Sequence, residues 1–149
     1  MVVLAILLSV FTLLHVPPLA RLSLFRSRRD KAAAAMAAMF FFTGTDHFAN
    51  PGRYLPMMPP YVPIPLVMIY VSGFFELLGA AGLLVKQTRR WAAYGLVALL
   101  LGVFQANVYV ALKGSSIEGL PDNPLYYWVR LPLQFVFIGW ALWCSKVEK

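Results

Sequence analysis

Long apolar stretches alternate with short polar segments along the whole chain. Five stretches approach the roughly 20 residues that a helix needs to cross a hydrocarbon core about 30 Å thick. They lie near residues 2–20, 32–49, 66–85, 91–112 and 125–144. The pattern predicts an all-α fold: a polytopic membrane helix bundle, built as a single transmembrane domain over residues 1–149.

The first stretch, near residues 2–20, is less regular than the other four. His15 and the pair Pro17-Pro18 interrupt it, and because prolines end or kink helices, the helix could stop near residue 16. A cleaved signal peptide is the alternative, but no positive region precedes the apolar run and no clear small-x-small cleavage site follows it. We therefore expect a retained N-terminal helix in addition to a four-helix core.

Two runs of small residues occur within the predicted helices. They read AAAAMAAM at residues 32–39 and GAAG at residues 79–82. Small side chains let membrane helices approach closely, so we expect both runs to be packed helix faces rather than binding sites.

A proline-rich segment, residues 50–65, separates the second and third stretches. Asn50-Pro51-Gly52 is a turn signal, and each later proline removes a backbone donor and restricts the residue before it. We expect an extended, non-helical loop that lies across the outer end of the bundle.

The composition favours lipid as the solvent of this chain. Apolar residues make up 60% of it and charged residues only 13%, whereas soluble domains are about 45–50% apolar. The single cysteine, Cys144, excludes an intramolecular disulfide and a multi-thiolate metal site. The adjacent Met57 and Met58 are a poor copper site without cysteines, so we predict no metal.

The thirteen Lys and Arg residues are divided unequally between the two sides of the predicted bundle. Ten of them lie in three segments that reach one side, namely RLSLFRSRRDK, KQTRR and CSKVEK. The positive-inside rule then places the N-terminus outside and the C-terminus in the cytoplasm. The net charge of +7 follows from this topology and from anionic lipid headgroups, so no nucleic-acid partner is expected.

Polar residues within the apolar stretches are the candidates for function, because an ionisable side chain in hydrocarbon costs about 2.5–3.5 kcal/mol. Glu76 lies near the middle of the third stretch, and the other polar groups occupy the outward halves of their stretches. Since polar groups in lipid must be satisfied within the protein, the pattern predicts a polar pocket in the outer half of the bundle. Its predicted members are Asp46, His47, Glu76, Asn107, Arg130 and Gln134.

Two interpretations of this pocket remain open. In the first, His47 and Glu76 form a general acid/base pair, because desolvation favours the neutral acid and imidazole titrates near neutrality. Arg130 would stabilise an oxyanion or hold an anionic oxygen. The predicted substrate-binding residues are Asp46, Asn107, Gln134, Gln105 and Tyr109.

In the second interpretation the protein is a non-enzymatic assembly or accessory subunit of a membrane complex. The same residues then form a structural network, centred on an ion pair between Glu76 and Arg130, that fixes helix register. A transporter or proton path is a third alternative, which the small size and the one-sided distribution of polar groups disfavour.

Several short motifs follow one another in a definite order. They are GTDHFANPGRYLPMMPPYVP, VSGFFELLGAAGLL, TRRWAAYGL, QANVY and YYWVRLPLQFVFIGWAL. With this order the chain resembles the DoxX-like small integral membrane proteins over about residues 32–144. The positions that match the pattern of that family are His47, Pro51, Gly73, Glu76, Arg130 and Gln134.

The resemblance implies a four-helix membrane bundle that takes part in membrane redox systems or in the assembly of other membrane proteins. A quinone or other lipophilic small molecule, a membrane protein and a second copy of the chain are the partners that it suggests. No haem, flavin or nucleotide motif accompanies the matching residues, so the cofactor is left unknown. The resemblance and the charge asymmetry together suit a bacterial cytoplasmic membrane.

Overall fold

The computed structural model describes residues 2–17, 27–114, 117, 121 and 123–146 of the chain. These residues form helices and no strand. The helices are α1 (Val2–Leu13), α2 (Arg28–Ala49), α3 (Pro51–Tyr54), a 3₁₀ helix (Leu55–Met57), α4 (Pro65–Leu84), α5 (Arg89–Lys113) and α6 (Pro124–Cys144). The predicted all-α fold is confirmed.

The four later apolar stretches are helices whose ends lie within four residues of the predicted ones. Local signals explain several of these ends. Ser27 and Asp30 form a capping box at the start of α2, Pro65 and Pro124 occupy the first turns of α4 and α6, and Gly114 ends α5 in the left-handed region. Two helices, α4 and α5, are long and apolar enough to cross a membrane.

The helices pack as a bundle. α2 contacts α1, α4 and α6, and α5 contacts α4 and α6, so α2, α4, α5 and α6 form a closed ring with α1 on the outside of α2. The alanine run of α2 is buried. On α4, a Cβ added to Gly79 would lie 2.5 Å from Leu96 and one added to Gly82 would lie 2.7 Å from Ala92 of α5. Both runs of small residues are therefore packed faces, as predicted.

The predicted N-terminal helix is present as α1, but it is shorter than the apolar stretch near residues 2–20. α1 ends at Leu13, and its 12 residues give a length of about 18 Å, well short of a hydrocarbon core of about 30 Å. Turns that include Pro17 follow α1 directly. Residues 18–20 lie outside the described residues. Phe11 packs edge-on against Trp140 of α6 at 5.1 Å between ring centroids.

The prediction of an extended loop over residues 50–65 is wrong for its first half. Pro51 occupies the first position of α3, where its missing N–H is not needed and its fixed φ suits a helix. Pro56 lies likewise in the first turn of the 3₁₀ helix. Met58 is extended, but a turn follows, in which the Val62 N–H donates to the Pro59 carbonyl at 3.0 Å, and the φ of Ile64, just before α4, is +46°.

A buried ion pair stabilises the end of the bundle that lies opposite to this proline segment. This end contains Asp30, Lys86 and Arg89 and is here called the basic end. Nη1 of Arg89 donates to Oδ1 of Asp30 at 2.7 Å, and Nε of Arg89 donates to the Leu83 carbonyl at 2.9 Å. Nζ of Lys86 lies 3.9 Å from Oδ2 of Asp30. Asp30 is 5% and Arg89 3% exposed, so this contact joins the ends of α2, α4 and α5 away from water.

The stability of the protein is expected to fall in acid because of Asp30. Burial alone would raise the pKa of this carboxyl, but the hydrogen bonds from Arg89 and the Ser27 backbone and the charges of Arg89 and Lys86 hold it below its usual value. The stabilisation is therefore complete above the unfolded pKa, about 4, and is lost as the pH falls through the lower folded pKa.

Melting curves of the wild type and Asp30→Asn in the same detergent, recorded between about pH 7 and 3, measure this effect. We expect the wild type to be more stable at neutral pH and the difference to shrink in acid. A difference that stays constant over this range would show that Asp30 is not the group responsible.

Candidate functional site

The site is built where α2 and α4 cross at two glycines. A Cβ added to Gly73 would lie 2.7 Å from Cβ of His47 and 3.0 Å from the carbonyl oxygen of Gly44. A Cβ on Gly44 would in turn lie 2.9 Å from Cγ of Leu77 and 3.0 Å from the Gly73 carbonyl. Only glycine allows this approach, which places His47 of α2 against α4 within one turn of Glu76.

His47 and Glu76 face each other in the interior. Nε2 of His47 lies 3.8 Å from Oε1 of Glu76, which is within ion-pair range but too long for a hydrogen bond. Each residue is 8% exposed. Nδ1 of His47 and Oε2 of Glu76 are buried and have no hydrogen bond of accepted geometry among the described residues, although the Ile69 backbone interacts with the imidazole and Thr43 with the carboxyl. Both groups therefore keep hydrogen-bonding capacity for a ligand.

Asp46 lies beside this pair and organises the segment that covers it. Its Oδ2 accepts hydrogen bonds from the Tyr54 hydroxyl at 2.6 Å and from Nη1 of Arg53 at 3.0 Å. Its Oδ1 accepts one from Nδ2 of Asn50 at 2.6 Å. These bonds hold α3 in place, and the Tyr54 ring stacks on the His47 ring with 4.1 Å between centroids.

The Tyr54 hydroxyl is a fixed hydrogen-bond donor. Burial raises the pKa of this hydroxyl, and the hydrogen bond to the Asp46 carboxylate raises it further. The phenol therefore stays protonated at all physiological pH values and keeps its bond to Asp46. Asp46 thus helps to position His47 indirectly, because it holds the Tyr54 ring that stacks on the imidazole.

Arg130 of α6 approaches the same space from the other side of the bundle. It is half-buried, and its guanidinium interacts electrostatically with the hydroxyls of Tyr54, Tyr126 and Tyr127. Arg130 forms no ion pair with the part of the chain that the structure describes. The ion pair between Glu76 and Arg130, expected if the protein were an assembly subunit, is therefore not formed, and Glu76 faces His47 instead.

Asn107 and Gln134 form a second polar contact in the interior. Nδ2 of Asn107 donates to Oε1 of Gln134 at 2.8 Å, and Nε2 of Gln134 donates to the Leu100 carbonyl. Gln134 is fully buried. This contact joins α5 to α6 and satisfies both ends of the Gln134 amide.

These groups surround a cavity of about 310 Å³. All six predicted pocket members line it: Asp46, His47, Glu76, Asn107, Arg130 and Gln134. Apolar residues from α2, α5, α6 and the first turn of α1 complete the wall, whereas α4 contributes only Ser72 and Glu76. The volume is at the lower end of the range of about 300–1,000 Å³ that is usual for small-molecule sites.

Residues 36–145 match the family described as Domain of unknown function (DUF8561). The chain belongs to this family. No curated protein and no solved structure matches it. The six predicted residues that line the cavity of this DUF8561 protein all lie within the matched region, whereas α1 lies outside it.

Gln105 and Tyr109, predicted to bind substrate, do not line the cavity of the DUF8561 protein. Gln105 is exposed and accepts a hydrogen bond from the Tyr61 hydroxyl at 2.9 Å. The Nζ atom of Lys113 lies over the ring of Tyr109, 5.4 Å from the ring centroid. Since residues two apart on a helix point about 200° apart, Gln105 cannot share the cavity with Asn107.

The structure also adds residues that the sequence did not single out as site residues of the DUF8561 protein. Thr43 interacts with the Glu76 carboxyl, and Arg53, Tyr54 and Tyr126 line the cavity. Thr43 carries a usable signal, because it is four residues before His47 and so shares its helix face. Tyr54 carries none, since its place depends on the fold of α3.

Proposed function

We propose that the chain is an integral membrane protein in which α2, α4, α5 and α6 cross the bilayer as a four-helix bundle. Large apolar side chains are exposed at mid-length on every one of these helices, for example Phe41, Phe74, Leu101 and Phe135, and only lipid suits such a surface. The charge distribution supports an orientation with the proline segment outside and the basic end, with the C-terminus, in the cytoplasm.

We further propose, from the order of its motifs, that the chain is related to the DoxX-like membrane proteins and acts in a bacterial cytoplasmic membrane. The α2–α4 crossing supports this proposal, because it gives both Gly73 and Glu76 of the motif VSGFFELLGAAGLL a contact with His47. Gly73 admits His47, and Glu76 faces it.

The proposed function is to bind a quinone or another lipophilic carbonyl compound in the cavity and to exchange protons with it. One observation carries this proposal: His47, Glu76 and Arg130 line one cavity, in which Nδ1 of His47 and Oε2 of Glu76 are buried without a hydrogen bond of accepted geometry to the described residues. A buried unsatisfied polar group costs about 1–3 kcal/mol. A ligand with a carbonyl or hydroxyl oxygen would satisfy these groups and remove that cost.

Each residue has a definite part in this proposal. Arg130 holds the carbonyl oxygen and stabilises negative charge on it. Glu76 and His47 hold the exchanged proton, and Tyr54 positions the imidazole by stacking on it. Reduction of a quinone also consumes two electrons, which a redox partner protein in the membrane would have to supply.

Replacing Glu76 by glutamine is expected to remove the bound ligand while leaving the fold intact. The amide keeps the size of the carboxyl but cannot exchange a proton, and it offers a different donor pattern to the ligand. We expect organic extracts of the purified variant to contain at least about tenfold less of a quinone or related carbonyl compound than wild-type extracts. Mass spectrometry of both extracts, normalised to protein, measures this.

Gln105→Leu is the matched control, because Gln105 is a polar residue of the bundle that lies outside the cavity. Its extract should match that of the wild type. The proposal fails if wild-type extracts contain no compound of this class, or if the Glu76→Gln variant retains the same amount.

The second candidate is an assembly or accessory subunit that has no small-molecule ligand. The satisfied contacts favour it: Asn107, Gln134 and the Leu100 carbonyl bond to one another, and Asp46 is fully occupied by its neighbours. It predicts extracts with bilayer lipids alone and a membrane protein that co-purifies with both the wild type and Glu76→Gln.

A further inference from the structure

The cavity changes in character along the bundle axis. Its polar residues lie toward the proline segment: Asp46 and His47 on α2, and Tyr126 and Arg130 on α6. Gln134 also lines the wall, and its amide is bonded to Asn107 and to the Leu100 carbonyl. Toward the basic end, α2, α5 and α6 otherwise contribute apolar side chains to the wall. These are Met39 and Phe40 on α2, Leu100 and Val103 on α5, and Leu133 and Phe137 on α6.

The length of this gradient follows from helix geometry. Tyr126 and Phe137 are eleven positions apart on α6, which corresponds to about 16 Å along the axis. A flat polar ring placed near Arg130 and His47 would fill only the polar end of such a space. The apolar end would then hold a chain of methylene or isoprenoid groups attached to the ring.

The first turn of α1 completes the apolar end. Val3 and Leu4 are half-buried and line the cavity beside α2. Val2 also lines it and is 62% exposed, so this turn lies where the cavity comes close to the outer surface of the bundle. This turn lies outside residues 36–145, which match the family; it is an addition to the common core.

We propose that the first turn of α1 is a tail-selecting wall, which determines how bulky an apolar chain the ligand can carry and where that chain leaves the bundle. The ligand is accordingly an amphiphile with one polar ring and one apolar tail. This inference rests on the proposed function, because it assumes a ring bound at His47, Glu76 and Arg130. It adds that Val3 and Leu4 contact the tail and not the ring.

Two probes that differ only in the tail can test this. They are 2,3-dimethoxy-5-methyl-1,4-benzoquinone and the same ring with a decyl chain at position 6. In the variant Leu4→Trp the larger side chain occupies space at the apolar end that the tail would otherwise fill. We expect it to bind the decyl probe about tenfold more weakly than the wild type and the tail-free probe with unchanged affinity.

Leu8→Trp is the matched control, because Leu8 lies one turn later on α1, is exposed and does not line the cavity. It should bind both probes like the wild type. Val3→Phe adds less volume at the same wall and should act in the same direction, which keeps the test usable if Leu4→Trp does not fold. Dissociation constants come from calorimetric titration in detergent, after melting curves have verified folding.

The outcomes separate the inference from the function on which it rests. If the wild type binds both probes and both α1 variants keep the tail affinity, the tail-selecting wall is wrong and the proposed function stands. If the wild type binds neither probe, the proposed function and the wall fail together. Selective loss of the decyl probe in Leu4→Trp and Val3→Phe, but not in Leu8→Trp, supports the wall.

Discussion

Replacing Arg89 by methionine is expected to lower the free energy of unfolding by about 3–5 kcal/mol, as breaking a buried ion pair from one side generally does. Methionine fills part of the space of the arginine stem but leaves the Asp30 carboxylate buried, with the Ser27 N–H at 3.2 Å and the Lys86 ammonium at 3.9 Å. It also removes the donor to the Leu83 carbonyl. Equilibrium unfolding in mixed micelles, with the wild type in parallel, measures the loss.

The neighbouring arginine supplies the control. Arg90 is exposed, and its guanidinium contacts Tyr94 on its own helix, so Arg90→Met should change stability by no more than about 0.5 kcal/mol. The double variant Asp30→Asn with Arg89→Met should lose less than the sum of the two single losses, because the unpaired buried charge is gone. Equal losses for Arg89→Met and Arg90→Met would mean that burial of the pair contributes nothing.

Hydropathy alone was enough to predict the long helices, because each needs a continuous apolar stretch and local signals stop it. The third stretch, expected at residues 66–85, is the helix Pro65–Leu84. The same reasoning predicted too long an apolar helix for α1 and no helix for α3. Apolarity continues beyond Leu13 although the helix does not, and prolines at the first positions of a short helix favour it rather than prevent it.

The level of the candidate site along the bundle axis was predictable from the sequence, but the direction in which each side chain points was not. Residues that are polar at one level of the bundle can be read from the sequence, and six of them line one cavity. Which face each one uses depends on helix rotation, so Gln105 was included although it points away. The stacking of Tyr54 on His47 needed the fold of α3, and no periodic pattern could have revealed it.

Gly73→Val is expected to cost about 3 kcal/mol of stability and to separate His47 from Glu76. Even a single Cβ at this position would lie 2.7 Å from Cβ of His47 and 3.0 Å from the Gly44 carbonyl oxygen. The carbonyl is helix backbone and cannot rotate away, so α2 and α4 must move apart. Unfolding in mixed micelles measures the stability, and the quinone content of organic extracts reports on the site.

Gly95→Val shows whether this effect is local to the helix crossing. Gly95 lies within α5, and a Cβ there would meet nothing within 4 Å. Its replacement should leave stability within about 0.5 kcal/mol of the wild type, since valine is a slightly better helix former than glycine. If Gly73→Val is as stable as Gly95→Val and keeps its ligand, then the close approach of α2 and α4 is not what positions His47, and the acid/base pair must be held by other contacts.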